Sequence, residues 1–123
     1  MHKIKIAGKE LSLAFTLAGY ADLMKIRPDF QLEKIGELAH TPDGLIDLIY
    51  VLAKQGELLE GRKLDIDQTW IGTHINCALM RITKYQIIVL DTIAEGFKME
   101  TEDGDEDREI DVVLEELKKK GIE

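Results

Sequence analysis

Hydrophobic and polar residues alternate near the N-terminus, which is the pattern of two short β-strands. The alternation covers Lys3–Ile6 and Glu10–Phe15, and its apolar members are Ile4, Ile6, Leu11, Leu13 and Phe15. Gly8, between the two stretches, suits the first central position of a type II′ turn and so predicts a β-hairpin. Because a lone hairpin is only marginally stable in water, its apolar face is expected to pack against helices.

From Thr16 onward, apolar residues recur at the three- and four-residue spacing of α-helices. Capping side chains and the Pro28–Asp29 step predict five helices, which begin near Thr16, Asp29, Thr41, Asp67 and Thr83. The first is expected to reach Lys25. Pro42 suits the first turn of the third helix, and Gly61 suits its end. Gln86, three residues after Thr83, completes a predicted capping box.

The apolar faces of these helices predict a core shared by a compact helical bundle. The run Ile87–Leu90 indicates that the last of the five helices is the most buried, and Cys77 is expected to be a small core residue. The residues assigned to the core are Leu32, Ile35, Leu38, Leu45, Ile46, Ile49, Leu52, Ala53, Leu59, Ile71, Ile75, Ala78, Leu79, Ile87, Leu90, Ala94 and Phe97.

The net charge of −8 is concentrated at the C-terminal end of the chain. Residues 100–123 include 11 acidic and 4 basic residues, whereas residues 1–99 include 13 acidic and 12 basic ones. Glu100–Asp107 contains no apolar residue, so it cannot bury enough surface to offset its ordering entropy. We therefore predict a mainly α-helical body with an N-terminal hairpin over residues 1–99. A flexible acidic linker and a short amphipathic helix are predicted over residues 100–123.

Five apolar residues are candidates for binding a protein partner. A C-terminal helix of about 13 residues, Arg108–Lys120, is only marginally stable alone. Its narrow apolar stripe therefore needs something to pack on. Trp70 lies in the first turn of its helix, on the side away from Ile71. Its side chain is expected either to cover a helix end or to anchor a partner from an exposed position, and the first alternative is favoured. The candidate partner-binding residues are Trp70, Ile110, Val113, Leu114 and Leu117.

Composition limits where such a protein works and what it binds. One cysteine and two prolines in 123 residues fit a single domain in a reducing compartment. The N-terminal residues lack the apolar run of a signal peptide, and no segment is long enough to cross a membrane, so a cytoplasmic location is expected. Because an acidic protein is repelled by phosphate groups and by anionic lipids, neither nucleic acid nor a membrane is an expected partner.

The residue patterns favour no metal, cofactor or catalytic centre. The three histidines, His2, His40 and His74, lack the spacing of a metal-ligand set. Two carboxylate pairs, Glu57 with Glu60 and Asp91 with Glu95, leave open a small all-helical, magnesium-dependent hydrolase, although surface solvation is favoured for both pairs. A second alternative is an acidic transcriptional adaptor, because Gln68–Phe97 is predicted to form a helix, a short turn and a second helix, as in DNA-binding helix-turn-helix motifs.

The stretch Lys3–Thr16 resembles the opening of tail assembly chaperones from long-tailed bacteriophages and prophages of Gram-positive hosts. In that opening, a hairpin with a Gly-Lys-Glu turn leads through an apolar and aromatic step into the first helix. The step Ile82–Tyr85 into a helix that ends at Gly96 is also similar, as is the acidic stretch followed by Asp111–Lys120. The resemblance covers nearly the whole chain, and it departs at Trp70–Met80, which is more apolar than the family pattern.

This resemblance implies a non-enzymatic helical protein that binds the tape-measure protein. It keeps that long, aggregation-prone helix soluble while the tail tube polymerises around it. The resemblance also implies a location in the host cytoplasm, absence from the virion, and no catalytic residue or cofactor. Many family members are made in a longer form as well, by ribosomal frameshifting, and the extension is thought to recruit the tail tube protein.

The lysine triplet Lys118–Lys120 sits where members of that family shift frame. If a run of adenines encodes it, we expect the native gene to yield a minor, larger product that shares this N-terminus. Synonymous recoding that alternates AAG with AAA should abolish the larger product, which an immunoblot against an N-terminal tag measures. A single product from both genes leaves the lysines as charges that stabilise the end of a helix dipole.

Overall fold

In the computed structural model, which describes residues 1–98, a two-stranded antiparallel hairpin is held between helices. The elements in chain order are β1 (His2–Ile6), β2 (Lys9–Leu13), α1 (Leu17–Ile26), α2 (Ile35–Leu38), α3 (Pro42–Leu59), α4 (Gln68–His74) and α5 (Leu79–Gly96), with a 3₁₀ turn at Leu32–Lys34 directly before α2. The predicted fold, mainly α-helical with an N-terminal hairpin, is confirmed. The predicted acidic linker and C-terminal helix lie outside the described residues.

The hairpin turn is of type I′ and begins one residue earlier than predicted. Ile6 pairs with Lys9, so the two-residue loop is Ala7-Gly8, and these residues have φ angles of 51° and 81°. A type I′ turn requires positive φ at both central positions. A left-handed alanine costs about 1–2 kcal/mol. The resulting register offsets this cost by setting Ile4 directly opposite Leu11, with both side chains in the core.

Helix α3 is the central element of the fold, and it contacts the hairpin, α1, α2, α4 and α5. Its predicted start is confirmed, because the Thr41 hydroxyl accepts a 3.2 Å hydrogen bond from the Gly44 amide and Pro42 follows directly. The buried residues on its inner side are Leu45, Leu48, Ile49, Val51, Leu52 and Ala53. Leu59, assigned to the core from sequence, is 61% exposed, because the last turn of α3 extends past the contact with β2.

Helix α4 is shorter than predicted, and α5 begins earlier. Asp67 caps α4 as expected, accepting a 2.8 Å bond from the Trp70 amide, but α4 ends at His74. The Asn76 side chain then accepts a 3.1 Å bond from the Ala78 amide, and this local turn ends the helical path. The next helix begins at Leu79, so Thr83 lies inside it and forms no cap. Cys77, Ala78 and Leu79, predicted to be buried, are exposed in and beside this connection.

Helix α5 turns a different side to the core than the sequence predicted. The buried side consists of Tyr85, Val89, Thr92 and Ile93. The predicted core stripe lies elsewhere on the helix: Ile87 is 54% exposed, Phe97 is 48% exposed, Ala94 is exposed and Leu90 is half-buried. The correction has a physical reason, since the Tyr85 hydroxyl donates a 2.9 Å hydrogen bond to the Lys5 carbonyl and fixes the rotation of the helix. Thus α3, rather than α5, is the most buried helix.

Both edges of the hairpin are hydrogen-bonded to helices. On the β2 side, the Ser12 amide donates to the Glu57 carboxylate of α3 at 3.0 Å, and the Ala14 amide donates to the Leu52 carbonyl at 3.1 Å. On the β1 side, the Lys5 carbonyl accepts the bond from Tyr85 of α5. These contacts explain how a sheet of only two strands forms part of a stable core.

The carboxylate of Glu57 joins α3 to β2. Its side chain is only 9% exposed, and Arg62 donates to it from Nε at 3.0 Å and from Nη2 at 2.9 Å, in addition to the Ser12 amide. The Arg62 bonds, and after them the Ser12 bond, hold the pKa of Glu57 below its ordinary value against the opposing effect of burial. The predicted surface solvation of Glu57 is therefore wrong.

We expect Gly56→Ala to lower the free energy of unfolding by at least about 2 kcal/mol. An added Cβ would lie far inside van der Waals contact with the Ser12 carbonyl, because α3 passes directly over β2 at this point. Gly36→Ala is the matched control, since a Cβ in α2 meets nothing within 4 Å. It should leave stability unchanged or raise it by up to about 1 kcal/mol. Urea unfolding followed by circular dichroism measures both, and equal midpoints would contradict the close contact.

We also expect Glu57 to make stability depend on pH. A carboxyl group whose pKa is lower in the folded state stabilises the protein above its unfolded pKa, near the ordinary 4.5. That stabilisation is lost as the pH falls through the folded pKa. The difference in unfolding free energy between the wild type and Glu57→Gln should therefore be largest near neutral pH and shrink in acid. Arg62→Gln should flatten the same profile, and a difference that stays constant with pH would refute this role.

Candidate protein-binding surface

Helix α5 carries a stripe of uncharged side chains on the side that faces away from the core. We call it the outer stripe; its members are Met80, Thr83, Ile87, Leu90 and Ala94 of the helix, together with Phe97, which directly follows its last residue. Successive members are three and four residues apart, which is the spacing of a coiled-coil seam. Met80 is 87% exposed, while Leu90 is half-buried at the margin of the stripe. A helix with apolar residues on two sides, one of them in solvent, offers a surface to a partner.

The two ends of the outer stripe are fixed by contacts with the N-terminal residues. At the C-terminal end, the Phe97 ring packs edge-on against Phe15, with 5.6 Å between ring centroids and an interplanar angle of 64°. The Glu95 carboxylate lies 2.7 Å from the His2 imidazole Nε2. Near the N-terminal end, Tyr85 is bonded to β1. Helix α5 therefore runs antiparallel to β1, and its rotation and position are set at both ends.

A cleft of about 710 Å³ lies between β1 and the N-terminal half of α5, and its charged lining is mainly cationic. Lys3 and Lys5 enter it from β1, and Arg81 and Lys84 enter it from α5. Glu10, 3.7 Å from Lys3 Nζ, is the one acidic residue in the lining that residues 1–98 provide. Sequence reasoning missed this cationic cleft because its two halves are about 80 positions apart and the rotation of α5 was not predictable.

Trp70, a predicted partner-binding residue, is half-buried and packs against the core. Its ring stacks on the His74 ring at a centroid distance of 4.2 Å and an interplanar angle of 22°. His74 Nδ1 also lies 2.7 Å from the Trp70 carbonyl, so the pair closes the last turns of α4. The structure does not bring Trp70 into the lining of the cationic cleft. The other four predicted residues, Ile110, Val113, Leu114 and Leu117, lie outside the described part of the chain.

The carboxylates of the hydrolase alternative have separate roles in the structure. Glu57 is held by Arg62 and Ser12, and Glu95 is held by His2. Glu60 Oε1 accepts a long 3.4 Å bond from the Ser12 hydroxyl, and Asp91 is exposed on α5. Across residues 1–98, no group of three or more potential metal ligands comes together. The four carboxylates therefore do not assemble the paired set that a two-pair magnesium site needs.

Comparison of the chain with models of known families, with curated proteins and with solved structures finds no match. Within residues 1–98, every helix is too short or too polar to cross a lipid bilayer. Among the large exposed hydrophobic residues of residues 1–98, Met80, Ile87 and Phe97 belong to the outer stripe.

Proposed function

We propose that this protein is a non-enzymatic tail assembly chaperone of a long-tailed phage or prophage, and that it binds the tape-measure protein through the outer stripe of α5. The observation that carries the proposal is the exposure of Met80, Ile87 and Phe97 at coiled-coil spacing on a helix that is already anchored to the core. This surface is suited to a helical client, because an apolar helix packs its own seam between side chains spaced in this way.

The dimensions of the outer stripe suit a long helical client. From Met80 to Phe97 the stripe runs for about 26 Å, or nearly five helical turns. Several copies of the chain could each cover one such segment of a tape-measure helix. Covering the apolar seam of the client removes the surface through which it aggregates, and this is the role that the sequence resemblance implies. The same role places the protein in the host cytoplasm and not in the finished virion.

We expect Met80→Gln/Ile87→Gln to abolish binding of the tape-measure protein encoded by the same phage or prophage. Glutamine keeps the helix propensity and the length of the side chain but removes the apolar contact. Both positions are exposed, so thermal unfolding should stay within a few degrees of the wild type, as expected for surface changes below about 0.5 kcal/mol. Co-expression followed by affinity capture and by the soluble yield of the client measures binding.

Leu17→Gln/Leu58→Gln is the matched control for this experiment. It removes two leucines that are 82% and 62% exposed on α1 and α3 and that are not members of the outer stripe. This control should bind and solubilise the client as the wild type does. Equal binding by all three proteins would show that the client uses a different surface. Equal loss in both variants would show that exposed apolar area in general, and not the outer stripe, is responsible.

A further inference from the structure

The cationic cleft lacks a balancing charge among the residues that form it. Its lining within residues 1–98 contains one acidic residue, Glu10, against four cations: Lys3, Lys5, Arg81 and Lys84. No carboxylate within residues 1–98 lies at ion-pair distance from Lys5, Arg81 or Lys84. Like charges gathered around one concave space raise its potential and favour an anion inside it. A cleft of this kind stands out in a chain whose net charge is −8.

The chain carries a suitable anion close to one end of the cleft. Glu100–Asp107 includes six carboxylates and begins two residues after Lys98. Because α5 runs antiparallel to β1, Lys98 lies near Met1 and His2, and all three line one shallow pocket. Lys3, the first cation of the cleft, is the next residue of β1. Lys98, the last described residue, therefore lies beside the entrance of the cleft.

The acidic run is long enough to follow the whole cleft. The cleft follows β1 from Lys3 to Lys5 and continues to Ala7 and Gly8 of the turn, which together span less than about 17 Å, the length that six fully extended residues would have. Eight extended residues, Glu100–Asp107, span about 26 Å on the same scale. The run is therefore long enough to pass all four cations.

We propose that the acidic run Glu100–Asp107 binds in the cationic cleft of its own chain. The covalent connection favours this occupant over a second copy, because a short tether gives a local concentration in the millimolar range. Each exposed ion pair is weak alone, so the contact depends on several pairs together and on low ionic strength. The proposal does not rest on the proposed function, although Met80 belongs to both the outer stripe and the lining of the cleft.

The single cysteine provides the test in the full-length chain. Cys77 is exposed and directly precedes Ala78, which lines the cleft, so a nitroxide spin label on Cys77 reports what enters there. We expect this label to broaden the backbone amide NMR signals of Glu102–Asp107 in dilute buffer. The broadening should disappear as the ionic strength rises from about 0.01 M to about 1 M, where the screening length falls from about 30 Å to about 3 Å.

Two triple variants with the same charge change separate the cleft from the overall charge. Lys5→Gln/Arg81→Gln/Lys84→Gln removes three cations of the cleft and should restore the amide signals. Lys25→Gln/Lys34→Gln/Lys63→Gln removes three cations that do not line it and should leave the broadening intact. Equal broadening in both variants, or none in the wild type, would overturn the proposal. Broadening that appears only between a labelled chain and a separate isotope-enriched chain would also overturn it, because the occupant would then be a second copy.

Discussion

A carboxylate in a protein interior is stable only when hydrogen bonds replace the water it has lost. Glu57 meets this requirement with two bonds from Arg62 and one from the Ser12 amide. The same group therefore satisfies the outward amide of β2 and fixes the strand to α3 where Gly56 allows the backbones to touch. The rest of the fold depends on this joint, because a two-stranded sheet has too few internal bonds to hold its own position.

The position of the hairpin determines which side of α5 meets solvent. With β2 bound to α3, the free side of β1 is left for α5, and Tyr85 bonds to it towards the N-terminal end of the helix. The contact between His2 and Glu95 sets the direction of the helix. Once Tyr85 faces inward, Met80 and Ile87 must face outward, because they lie on the opposite side of the same helix. The exposure of these apolar side chains is thus a consequence of how α5 packs on the core.

Capping residues and hydrophobic spacing predicted which helices and strands form, but they did not predict which side of α5 is buried. Thr41 with Pro42, and Asp67, mark true helix starts because capping acts within one turn. Thr83 carries the same signal but lies inside α5, since the turn at Asn76 starts the helix earlier. The burial of Leu90 and Phe97 could not be decided from sequence, because α5 has two apolar sides and only the contact with β1 selects one. The position of Glu57 next to Gly56, on the buried side of α3, was a sign that its carboxylate is buried. Its pairing with Arg62 could be identified only from the structure.

The occupied edges of the hairpin have a consequence for how this protein can associate. An open strand edge recruits other extended chains, and repeated pairing of that kind leads towards fibrils. Here Glu57 and Tyr85 occupy main-chain groups on the two edges, and the large exposed apolar residues of the described chain lie outside both strands. The exposed apolar surface of the described chain therefore lies mainly on helices, away from the main-chain groups through which extended chains pair. Strand pairing through the hairpin would first require Glu57 or Tyr85 to release its bond, and this favours association through helices over the pairing that leads to β-aggregates.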